Sequence, residues 1–101
     1  AFDTEEGEAI AEALGDKKTV ILQNHGLLTT GANVDTAVWL FISMDKCCQS
    51  QLLAEAAGKP TLIPDEIAVH AKAQAGSDLV LWASFQPLYD LIYKMQPDFL
   101  D

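Results

Sequence analysis

The sequence predicts an α/β fold in which helices flank a short, mainly antiparallel sheet. Three observations carry that expectation. A β-branched, apolar run, Thr19-Val20-Ile21-Leu22-Gln23, resumes as Leu27-Leu28-Thr29-Thr30 after Asn24-His25-Gly26, the composition of two strands joined at a bend. Segments with helical spacing and recognisable caps lie on both sides of it. One of those segments is apolar around nearly its whole circumference for two turns, which marks a helix covered on several sides.

Each element has its own signal. The first helix opens at Asp3-Thr4-Glu5-Glu6, where a capping residue is followed three positions on by a carboxylate. Ala9, Ile10, Ala13 and Leu14 recur at helical spacing, and Gly15 stops the helix. Its acidic first turn and the lysines just beyond it, Lys17 and Lys18, suit the helix dipole. After the two strands, a long helix is expected from about Val34 to Ala57, capped by Asn33 and ended by Gly58-Lys59-Pro60. Ala37, Phe41, Met44, Cys48 and Leu52 line one face, while Val38, Trp39, Leu40 and Ile42 widen it. In so short a chain the cover is expected from further sequence or a neighbouring subunit. Pro64-Asp65-Glu66 opens a third helix that runs to Ala75 before Gly76. Asp78 to Met95 is rich in large apolar residues, and Pro87 within it predicts two helical pieces or a kinked one. The tail from Gln96 to Asp101 should pack weakly unless a partner covers Phe99 and Leu100.

Composition excludes several functions. The 101 residues, half of them apolar, suffice for one small domain. Six lysines, no arginine and fifteen acids give a formal charge of −9, which phosphate backbones and anionic membrane surfaces would repel. No nucleic-acid or membrane partner is therefore expected. The longest run of apolar character, Val38 to Met44, is far too short to span a bilayer. Without arginine the chain also lacks the usual bidentate grip on a phosphate, so a sugar phosphate would have to be held by other parts. Cys47 and Cys48 are adjacent, which fits a reduced, cytoplasmic setting and not a disulfide framework, and Cys48 reads as a packing residue. No cationic, apolar leader-type segment opens the chain.

His25 is the position with chemical promise. Between Asn24 and Gly26 at a strand bend, its imidazole projects from a backbone fixed on both sides, as a metal ligand requires. The residue pattern alone leaves open a second role, a structural turn residue bonding the backbone, because one histidine does not make a metal site. His70 in the third helix reads as a surface or polar core residue. Glu5, Glu6 and Glu8 read as a solvated acidic face, and Asp65 and Glu66 as helix-start acids.

The run Val20-Ile21-Leu22-Gln23-Asn24-His25-Gly26-Leu27-Leu28-Thr29-Thr30-Gly31, with Val34-Asp35 and Ala37 after it, resembles the signature of the class II aldolase/adducin family. Gln49 to Gly58 resembles that family's long helix, and the resemblance covers roughly residues 7 to 58. Phe85-Gln86-Pro87-Leu88-Tyr89-Asp90 looks like the C-terminal extension of the adducin-like branch. The resemblance implies a three-layer α/β/α domain with a central, mainly antiparallel sheet, present here as its C-terminal part. Residues 1–76 would be family core and 77–101 a helical extension.

For catalytic members the resemblance implies zinc held by three histidines: a His-x-His pair in an N-terminal half, and the histidine matching His25. The metal polarises the carbonyl of a small sugar or sugar phosphate and stabilises an enediolate. That intermediate serves retro-aldol cleavage, epimerisation, dehydration and decarboxylation. A C-terminal tyrosine that reaches a neighbouring subunit's site implies Tyr89 or Tyr93, although both also fit apolar helical spacing. The family implies homo-oligomers. The chain carries no His-x-His, so the expectation is an aldolase- or epimerase-type fragment, inactive without the N-terminal half. The alternative is a non-catalytic, adducin-like self-associating scaffold, since such members keep Asn-His-Gly without the other ligands.

Overall fold

The computed structural model describes residues 4–100. Its elements follow the expected order: α1 (Thr4–Leu14), β1 (Thr19–Leu22), β2 (Gly26–Thr29), α2 (Val34–Ala57), α3 (Asp65–Ala75), α4 (Asp78–Met95) and a closing 3₁₀ turn, Pro97–Leu100. The capping role expected of Asp3 lies outside the described residues. At the far end of α1, Gly15 takes φ +55° and its N–H reaches the Ala11 carbonyl at 3.0 Å. That left-handed stop is easiest for glycine.

β1 and β2 pair antiparallel, with Thr19 opposite Thr29, Val20 opposite Leu28, Ile21 opposite Leu27 and Leu22 opposite Gly26. Thr29 Oγ1 donates to the Ala37 carbonyl at 2.8 Å, so this residue faces α2. Strand alternation puts Thr19, Ile21 and Leu27 on the same side of the hairpin as Thr29, and Val20, Leu22 and Leu28 on the other. α2 packs against both strands of the hairpin and α1 against β1, a small α/β arrangement.

The start of α2 is tightly specified. Asn33 is extended (φ −151°, ψ 173°) and its Oδ1 accepts from the Thr36 N–H at 2.8 Å, the expected N-cap. Thr36 is fully buried. A Cβ added at Gly31 would lie 2.8 Å from the Ala37 nitrogen and 2.9 Å from Thr36 Cβ and Cγ2. Only a glycine lets the chain leaving β2 pass this close to the helix.

α4 packs along α2 and is one helix through Pro87, so the alternative of two separate pieces falls away. The missing proline N–H removes one internal hydrogen bond, but side chains hold that turn in place. Gln86 Nε2 donates to the Trp82 carbonyl at 3.0 Å and to Asp35 Oδ2 at 2.7 Å, tying the Pro87 turn to the start of α2. Lys18 joins the hairpin to the head of α4 through the Gly76 carbonyl (3.3 Å) and Asp78 Oδ1 (3.2 Å). The tail packs weakly, as expected: the Phe99 ring stands edge-on to Tyr89 at 5.7 Å, but Phe99 and Leu100 remain 46% and 56% exposed.

Much apolar surface stays open. Leu81 is the one buried large apolar side chain among the described residues. The accessible surface is 8110 Å², against ~5600 Å² for a compact protein of this mass. The radius of gyration is 16.3 Å, against about 13 Å for a compact chain of this length. Residues 49–57 of α2 and all of α3 are exposed.

Candidate functional site

The bend that carries His25 is a three-residue loop, Gln23-Asn24-His25, between the paired Leu22 and Gly26. Asn24 adopts φ +63° and Gly26 φ +143°, conformations suited to asparagine and glycine respectively. The His25 N–H donates to the Leu22 carbonyl at 3.2 Å. The flanking residues are therefore conformational requirements of the turn, and they leave the imidazole between them free of that duty. Its side chain is 60% exposed.

A groove of about 460 Å³ runs between α1 and β1, lined by Ala9, Ile10 and Ala13 on the helix and by Val20, Ile21 and Leu22 on the strand. Glu6, Gln23 and His25 supply its polar lining. His25 Nε2 lies 3.4 Å from Glu6 Oε1, whose side chain is 37% exposed. Nineteen residues separate the two in sequence, and the packing of α1 on β1 brings them together. Reading Glu6 as part of a solvated acidic face missed this, because nothing in local spacing marks which helix-start acid will meet the hairpin bend.

The donor types suit zinc, but the described residues supply too few of them. A catalytic zinc takes about three protein ligands, while here one imidazole and one carboxylate converge. Among the described residues no group of three or more His, Cys, Asp or Glu side chains could hold a metal ion. The other sequence candidates lie elsewhere. His70 is exposed on α3, Cys47 and Cys48 are free thiols on α2, and Tyr89 and Tyr93 lie on α4. None of them lines the groove at His25. No helix among the described residues is long and apolar enough to cross a membrane.

Residues 1–52, which hold the hairpin, the His25 bend and most of α2, match the family described as Class II Aldolase and Adducin N-terminal domain. The chain belongs to the class II aldolase/adducin family. Among curated relatives, the decarboxylase NovR of Streptomyces niveus is 46% identical over 94 residues, which is 93% of this chain and 35% of NovR. The 4-hydroxy-3-prenylphenylpyruvate oxygenase/4-hydroxy-3-prenylbenzoate synthase of Streptomyces roseochromogenus subsp. oscitans is 44% identical over 94 residues, 93% of this chain and 34% of that protein. The solved L-fuculose 1-phosphate aldolase of Glaciozyma antarctica PI12 superposes with a TM-score of 0.86 at 41% identity, covering 90% of this chain and 36% of its own. The chain thus spans about a third of the length of these relatives. The likeness runs past the hairpin and α2 into the C-terminal helices.

Proposed function

We propose that this chain is part of a zinc-dependent class II aldolase-type enzyme, a lyase or epimerase acting on a small carbonyl-containing sugar or sugar phosphate by enediolate chemistry. The observation that carries the reading is the placement of His25: an imidazole presented on a conformationally fixed turn, beside a groove, with a carboxylate at 3.4 Å. A divalent zinc bound there would polarise a substrate carbonyl. The remaining ligands come from polypeptide outside this chain. So does any phosphate grip, because the chain has no arginine.

The same reading treats residues 1–101 as the C-terminal portion of one domain, with 1–76 as core and 77–101 as a helical extension, inactive alone. The open apolar faces of α2 and α3 support cover by further polypeptide or by a second subunit of a homo-oligomer. Tyr89 and Tyr93, 37% and 52% exposed, are open enough for a neighbouring subunit to meet, which keeps them as candidates for a cross-subunit acid. The two free thiols accord with a cytoplasmic setting. Enzyme names among the relatives favour catalysis over an adducin-like scaffold.

One observation favours a second reading. The relatives aligned across 93% of this chain are named as a decarboxylase and as an oxygenase/synthase of a prenylated aryl acid. L-Fuculose phosphate aldolase of Escherichia coli K12 aligns over 67%. Release of carbon dioxide from a carbonyl-bearing carboxylic acid is therefore the alternative to aldol cleavage. Assaying the full-length, zinc-loaded protein for both reactions separates the two. The reading expects turnover in one of them and its loss in His25→Ala. Turnover that survives the loss of His25 would sink it.

A further inference from the structure

We draw no further inference here: the strongest candidate, the apolar groove of about 540 Å³ that Val38 and Ile42 of α2 form with Phe85, Leu88 and Ile92 of α4 and with Phe99, carries none because nothing in the structure shows what covers it.

Discussion

The two halves of α2 belong to one unbroken helix and meet different fates. From Asn33 to about Cys48 the helix is capped, crosses β2 through Thr29, buries Thr36 and carries α4 along its flank. Beyond Cys48 every residue is exposed, including Leu52 at 69% and Leu53. Composition already separates these halves: Val38 to Ile42 and Met44 crowd large apolar side chains into the first, while Gln49 to Ala57 has only Leu52 and Leu53 among polar and small residues. They differ too in whether a neighbouring element is there to pack against. A helix segment without tertiary cover is marginal in water, and the free half of α2 is the face that the proposed reading covers with further polypeptide or a second subunit.

Substitutions that probe the covered end should cost most. Leu81→Ala removes the one large apolar side chain that is buried among the described residues and should destabilise the fold by about 2–5 kcal/mol in chemical denaturation. Gly31→Ala forces a Cβ to within 2.8 Å of the Ala37 nitrogen. Its midpoint should fall by the equivalent of about 1–3 kcal/mol, as for other overpacked sites. Asn33→Ala deletes the cap on the Thr36 N–H, a loss of ~1 kcal/mol, visible as lower helicity and an earlier thermal transition. Leu52→Ala, on the uncovered half, should change stability by under about 0.5 kcal/mol in this chain alone. A large loss at Leu52, matching that at Leu81, would erase the contrast between the halves.

Much of the fold was legible because its punctuation is local. Asn33 and Gly58 bound α2 as they read, and Gly15 stops α1 through a left-handed turn that the residue type announces. The Asn-His-Gly bend was equally readable, since the backbone angles at Asn24 and Gly26 are ones that those residues tolerate. Legibility failed where tertiary contact decides. Pro87 left open two helical pieces or one kinked helix, and it took the structure, with Gln86 tying that turn to Asp35 on α2, to show a single α4. At the candidate site the sequence singled out His25 and passed over Glu6, because only the packing of α1 on β1 selects that acid from Glu5, Glu6 and Glu8.

The most direct test is zinc content by elemental analysis, on this chain, on the full-length protein and on its His25→Ala variant, purified without chelators and reloaded with metal. The account predicts about one zinc per full-length chain, as in a single catalytic site, with weak retention by the 101 residues alone and loss on removal of His25. Zinc held undiminished by the His25→Ala protein, or no zinc in the full-length protein after reloading, would contradict it.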